Sequence, residues 1–269
     1  MHQQTRTRQL LFRLSSLALV TMLLVACSTG GDTADETPTS EPTAAPPTAA
    51  PGELSVGEVL DRVNTAWSGV ESMRVTTFSG TATQTDTGTA VPSGSYTVEE
   101  WTSPGNRRVA EIFNGTAINE QIYVDGTIYM RGTFVTMAVA PEVGPETWII
   151  LDESVVPPDT PVGLRITYLT RESGSPFAGM SPDLLAQPAN ESGTVRVGDR
   201  SCTLYTFGDQ GNEGDEIRYE LALDENDLPC QVVLRGGDAQ NSSVYEFNSD
   251  DIRIEAPLEG TPVSGTPEG

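Results

Sequence analysis

Lysine is absent from the 269 residues, and histidine occurs only once, as His2. A chain without lysine has no Schiff-base amine, and one whose single histidine lies in the first residues lacks the usual general base and the commonest metal ligand once that stretch is removed. Ser-His-Asp and Cys-His catalysis and the familiar zinc sites are thereby excluded, leaving carboxylate chemistry alone. Cysteine is scarce too: Cys27, Cys202 and Cys230 are all there are. No apolar run reaches the roughly 20 residues a membrane-spanning helix needs.

The longest apolar run is nevertheless informative. Arg6, Arg8 and Arg13 precede Leu14 to Ala26, which is interrupted only by Ser15, Ser16 and Thr21. A basic start followed by a short greasy segment is the build of a secretory signal. It closes on Leu24-Val25-Ala26-Cys27, which resembles the lipobox of bacterial lipoproteins. That resemblance implies cleavage after residue 26, a diacylglyceryl group on the Cys27 sulfur, and a mature protein held to the cell membrane on its extracytoplasmic side. Two or more acyl chains hold a protein firmly, each buried methylene contributing about 0.8 kcal/mol.

The leader takes with it three of the 15 arginines and none of the 38 acidic residues, so the mature chain has a formal charge of about −26 before its terminus is counted. So negative a field repels nucleic acid and anionic lipid surfaces, and nucleic-acid binding is not expected. Residues 27–52, rich in Thr, Pro and Ala with Asp32, Asp35, Glu36 and Glu41, contain almost nothing to bury and read as a tether. As a flexible coil it spans on the order of 30 Å, and about 75 Å if fully polyproline-like. Residues 259–269 have the same composition and read as a disordered tail.

Residues 53–258 remain as one domain of ordinary size. Val56, Val59, Leu60, Val63 and Trp67 recur at helical spacing behind Ser55 as N-cap, with Gly69 near the end. From Met73 the apolar period becomes two, predicting strands over 73–83, 94–103, 106–113, 119–125, 127–131 and 133–139. Asp125-Gly126 between two such runs is a strong hairpin signal. Between Pro141 and Asn190 the alternation dissolves into short apolar pieces, Trp148 to Leu151 and Leu164 to Leu169, with a brief helix expected from Pro182 to Gln187. Strands resume over 193–198, 200–208, 215–224, 229–235, 241–248 and 251–255. In the clearest, Ile217, Tyr219, Leu221 and Leu223 share one face and Arg218 and Glu220 the other.

An even pair of cysteines in an exported domain, Cys202 and Cys230, suggests a disulfide contributing roughly 3 kcal/mol in the chain-entropy model. Geometry argues back. In a simple meander the strand at 215–224 lies between the two cysteines, and next-nearest strands are about 9.6 Å apart, whereas a disulfide needs α-carbons within about 7 Å. Sharp curvature, a bulge near Pro229 or another strand order would reconcile the two; reduced, buried thiols are the alternative.

The order of helix, strands, irregular middle and more strands resembles the LolA/LolB-like carriers and the LprG/LppX-like lipid-binding lipoproteins. The likeness is carried by Gly193 to Gly198 facing Ser201 to Phe207, by the acidic turn Asp224 to Pro229 leading into Gln231 to Leu234, and by Val244 to Asn248 followed by Ile252 to Pro257. It implies an α+β fold: a curled antiparallel half-barrel sheet wrapped around an N-terminal helix and a short helical or irregular lid region. It also implies an apolar concavity that holds a lipid or acyl chain. Candidate lining residues are Val63 and Trp67 from the helix, Val75, Tyr96, Val98, Ile122 and Val124 from the early strands, and Tyr219 and Leu221 from the later ones. For each of them, ordinary core packing is the competing role. The alternative function is a surface interaction or envelope-structural module, filled by its own side chains and binding a protein partner.

Sharper motifs carry less. Asp86-Thr87-Gly88 spells the aspartic-protease triplet but occurs once, among polar neighbours, where that chemistry needs two carboxylates sharing a proton. Asp224, Asn226 and Asp227, or Asp209, Asn212, Glu213 and Asp215, offer oxygens to calcium without the spacing of a known loop. Asn114, Asn190 and Asn241 begin glycosylation sequons that mean little in a bacterial lipoprotein. Gly208, Gly211 and Gly214 mark a flexible loop and form no phosphate cradle. No catalytic residue, cofactor or metal is expected.

Overall fold

In the computed structural model the described residues are 53–262, apart from 81–93, 139, 152–155, 157, 171–174, 176, 178–179, 211–215 and 238. Cys27, the leader, the tether and the Asp86-Thr87-Gly88 triplet lie outside them, as do Asn212, Glu213 and Asp215.

Helix α1 (Val56–Trp67) starts where its sequence says it should. The Ser55 hydroxyl accepts from the Glu58 amide at 3.2 Å while the Glu58 carboxylate accepts from the Ser55 amide at 2.8 Å, a reciprocal cap on two orphan donors. That capping bond, joined by one from the Ser55 hydroxyl, holds the Glu58 carboxyl below its usual range. Val56, Val59, Leu60 and Val63 form the buried stripe. Ser55→Ala removes half of the cap and is expected to lower stability by about 1 kcal/mol, read as a shifted urea midpoint at unchanged slope.

Among the described residues twelve strands form one sheet: β1 (Ser72–Ser79), β2 (Ser95–Thr102), β3 (Asn106–Phe113), β4 (Thr116–Val124), β5 (Thr127–Gly132), β6 (Ile149–Leu151), β7 (Asn190–Val197), β8 (Arg200–Gln210), β9 (Glu216–Leu223), β10 (Pro229–Gly236), β11 (Ala239–Phe247) and β12 (Thr261–Pro262). Their spatial order is β12-β6-β5-β4-β3-β2-β1-β11-β10-β9-β8-β7. The sheet is large, open and curled, with few helices. Every pairing is antiparallel except β12 on β6. Chain neighbours are sheet neighbours from β1 to β6 and from β7 to β11, and β11 closes back on β1. Asn114-Gly115 and Asp125-Gly126 make two-residue turns with both φ values positive, the geometry that matches strand twist. The strand end carrying Asn114 is called the Asn114 end below, and the opposite one the Asp125 end.

Two predicted strands are corrected. The strand expected over 133–139 is not formed by its described residues: Thr133–Ala138 is helix α2. Gly132 ends β5 at φ +118°, and a Cβ there would sit 2.4 Å from Asn119 Oδ1 and from the Ile118 carbonyl. Asn119 fills that space and accepts the Phe134 amide at 3.1 Å, so the chain turns off the edge. Residues 251–255 are not a strand either. Ile252 and Ile254 are buried, but they belong to a strap that runs from β11 to the β12–β6 pairing. Asp251 ties the strap to Arg74 on β1 at 3.1 Å, and Ile254 packs on Ile122 and Val124 of β4. The Ser249 hydroxyl, and then Arg74, hold the Asp251 carboxyl below its usual range. In the irregular middle, Leu164 to Leu169 falls inside helix α3 (Pro161–Thr170) and the predicted short helix is α4 (Pro182–Leu185).

The helices lie on one face of the sheet in two groups. Helices α1 and α4 cover β8 and β9, where Leu60, Leu184, Phe177, Tyr205, Phe207, Leu221 and Leu223 pack together. Helix α3 covers β5 and β6, with Ile166 and Leu169 against Ile128, Met130, Ile149 and Leu151.

Candidate functional site

Alternation along each strand, combined with register between strands, assigns every side chain to the helix-bearing face or to the opposite one. Val75 pairs with Glu99, and Thr76 with Val98; Val75 and Val98 therefore point to opposite faces. The nine candidate lining residues divide accordingly. Val63 and Trp67 on α1, with Val75, Tyr219 and Leu221, belong to the helix-bearing side. Tyr96, Val98, Ile122 and Val124 belong to the other and do not line one cavity with them. Tyr96 joins Phe78 and Val244, while Ile122 and Val124 are sealed by Ile254 of the strap. On the helix-bearing side, Val63 and Leu221 are 0% and 1% exposed inside the α1 cluster. Trp67 meets Phe247 edge-on at 5.4 Å, and Tyr219 stacks on Phe207 at 5.1 Å.

Between the two helical groups, the same face of β2, β1 and β11 is a half-buried strip carrying Val75, Thr77, Thr97, Glu99 and Ser243. At the Asp125 end it is closed by Trp67, Val70, Met73, Trp101, Tyr245 and Phe247. On the α3 side its wall is polar. The Tyr168 hydroxyl donates to Glu99, Arg107 lies 3.4 Å from Glu99 and donates to the Tyr168 carbonyl at 2.6 Å, and its guanidinium sits 5.3 Å from the centre of the Tyr168 ring. Burial, and then the nearby Glu99 and Tyr168, push the Tyr245 phenol up, so it stays neutral. Trp101 Nε1 is buried there, with no hydrogen-bond partner among the described residues. A separate open depression of about 560 Å³ lies outside the strip and is lined mainly by polar groups, among them Glu71, Asn248, Asp250 and Arg253.

The opposite face carries a charge ladder across five strands. Arg74 donates to Glu100 at 2.7 Å, Arg108 to Glu100 at 2.8 Å and to Glu120 at 2.6 Å, and Arg131 to Glu120 at 2.6 Å. Glu100 and Glu120 are each 4% exposed. Sequence reading missed this array and the Glu99–Arg107–Tyr168 group. A charge in a half-polar strand looks solvated until register sets it beside its partner.

Cys202 and Cys230 are joined, their α-carbons 6.6 Å apart. The geometric objection fails for a local reason. Strand β9 ends at Leu223, which pairs with Thr203 on one side and Pro229 on the other, so the bridge crosses β9 at its very end, and the register of β10 on β9 slips between Pro229 and Gln231, leaving Cys230 at the bulge. The acidic turn is organised internally: Asp224 Oδ1 accepts the amides of Asn226 at 2.9 Å and Leu228 at 3.1 Å. Among the described residues no group of three or more His, Cys, Asp or Glu side chains is arranged to hold a metal, and no helix is long and apolar enough to cross a membrane.

No family model matches the chain, and no curated protein matches it. Among solved structures it is similar to LprF from Mycobacterium bovis, at 12% identity and a TM-score of 0.44 over 77% of this chain and 99% of that one. Its similarity to the lipoprotein LppX of Mycobacterium tuberculosis is 12% identity and a TM-score of 0.41, covering 74% and 98%. MucB of Pseudomonas aeruginosa, in complex with MucA, matches at 15% identity and a TM-score of 0.37 over 74% of this chain and 61% of its own.

Proposed function

We propose that the mature protein is anchored through acylated Cys27 to the outer side of the cell membrane and that its sheet holds a lipid or other hydrophobic ligand on the strip between the two helical groups. The observation that carries this reading is the gap in helical cover among the described residues. Val75 lies there only half-buried, beside the buried, unpartnered Trp101 Nε1. A buried donor left unsatisfied costs about 1–3 kcal/mol, and an ester, amide or hydroxyl oxygen of a bound amphiphile would satisfy it. With Glu99, Thr77, Thr97 and Ser243 around it, the strip suits a ligand carrying polar groups close to its chain. Holding needs no catalytic group, which suits a mature chain without histidine or lysine.

Native mass spectrometry of the mature protein is the test. The expected result is a species heavier than the covalently acylated chain by one lipid mass, together with displacement of that lipid by a fluorescent acyl probe. Thr77→Trp, which fills the strip, should weaken probe binding by about tenfold or more, equivalent to roughly 1.4 kcal/mol. Protein that carries no lipid and takes up no probe would favour the self-filled interaction module, for which the complete burial of α1's apolar stripe already speaks.

A further inference from the structure

We infer that the β3–β6 side of the Asn114 end is a membrane-contacting lip, docking on the neutral bilayer that carries the protein's own anchor; this rests on the lipid-anchored reading above. Four large apolar side chains are exposed there: Phe113 at 45%, Ile118 at 44%, Met137 at 75% and Leu164 at 58%. They come from four elements that a single cluster ties together. Arg165 on α3 pairs with Glu111 on β3 at 2.9 Å and lies 4.5 Å from the Phe134 ring centre on α2. Asn119 on β4 donates to Glu111 at 2.8 Å and accepts the Phe134 amide. Phe113 is two residues beyond Glu111, Ile118 precedes Asn119, Met137 is one turn from Phe134, and Leu164 adjoins Arg165.

Charge distribution identifies the occupant. In a chain of net charge −23, residues 112–119 and 132–141 contain no charged side chain. The Asp125 end is the reverse: its turns carry Asp125, Asp199, Asp224, Glu225 and Asp250. Such a surface repels anionic lipid, whereas uncharged apolar side chains insert into an interface at no electrostatic cost.

The route of the chain supplies the second argument. The first described residues bond to the segment entering β7, Ala189 donating to the Leu54 carbonyl at 2.9 Å and Val56 to that of Gln187 at 2.8 Å. Asn190 pairs with Thr206 near the end of β8, so residue 53 lies at the Asn114 end. Residues 27–52 therefore reach this end from the membrane, and a coil of that length spans roughly 30 Å. The half-buried strip is closed at the Asp125 end, so its remaining exit faces the same way as the lip.

The test uses protein purified with its anchor and reconstituted in phosphatidylcholine vesicles containing doxyl-labelled lipid. An environment-sensitive dye is attached to Met137→Cys and, separately, to Asp125→Cys. The dye at position 137 is expected to shift to the blue and lose about half its emission or more, while the dye at 125 stays as in water. Phe113→Ser combined with Ile118→Ser should return the position-137 signal toward that of 125, with the circular dichroism spectrum unchanged. Equal quenching at both ends, or none at 137, overturns the lip. Acyl-probe binding is measured on the same samples: a lip that fails while the probe still binds leaves the lipid-holding reading intact, and the converse result removes that reading alone.

Discussion

Glu120→Gln is expected to lower the free energy of unfolding by about 3–5 kcal/mol, a large share of the roughly 5–15 kcal/mol a domain has. The Glu120 carboxylate accepts from Arg108 and from two nitrogens of Arg131 and is almost fully enclosed by them. An amide keeps the shape but removes the charge and replaces one acceptor by a donor aimed at a guanidinium. Arg131 then loses its close ionic partner, keeping Glu146 at 3.9 Å, itself 89% exposed, and the Trp148 ring at 4.8 Å. Glu146→Gln is the control and should change stability by less than about 0.5 kcal/mol, since exposed pairs contribute little. The measurement is urea denaturation of both variants beside the parent. A Glu120→Gln protein within error of the parent would show that the ladder does not hold the five strands together. Such an array is no proof of optimal stability, because apolar replacements of a whole ion-pair network are often neutral or better. What it contributes is register: a one-residue slip of any strand points its charges at the other face.

Loss of the Cys202–Cys230 bridge is the second large effect, expected at roughly 3–4 kcal/mol in the chain-entropy model for a separation of 28 residues. Cys202→Ser with Cys230→Ser should lower the melting temperature accordingly. Kinetics give a sharper readout. Both cysteines are 0% exposed, within a cluster holding Phe78, Ala222 and Val244, so a small thiol reductant reaches the bridge only when the sheet opens locally. Reduction of the folded protein should therefore be slow, and sub-denaturing urea should accelerate it. Rapid reduction without urea, or two free thiols in the protein as secreted, would contradict the bridge.

Local signals proved legible wherever one strand or one turn of helix contained them. Ser55 and Glu58 start α1, Asp125-Gly126 turns β4 into β5, and Ile217, Tyr219, Leu221 and Leu223 share the face opposite Arg218 and Glu220, two side chains that approach each other there. The failures are of another kind. Thr133 to Ala138 has a strand's composition, yet the close approach of Asn119 to Gly132 turns the chain into α2. Ile252 and Ile254 alternate as a strand does, but their burial comes from lying across the sheet. Val98 and Val75 looked equivalent as lining residues until their partners, Thr76 and Glu99, put them on opposite faces.

The chain by itself determines that residues 3–269 contain neither histidine nor lysine, that Cys27 follows directly on a short apolar run, and which residues alternate within each strand. Only the tertiary structure decides which alternations face the same way, which carboxylates become buried ladders, and which apolar side chains stay in the open. Period two relates residues of one strand to one another; relating one strand to the next requires turns, bulges and pairings between residues far apart in sequence. Cys202 and Cys230 condense that difference: whether they meet turns on where β9 stops and where β10 slips, and no local pattern records either.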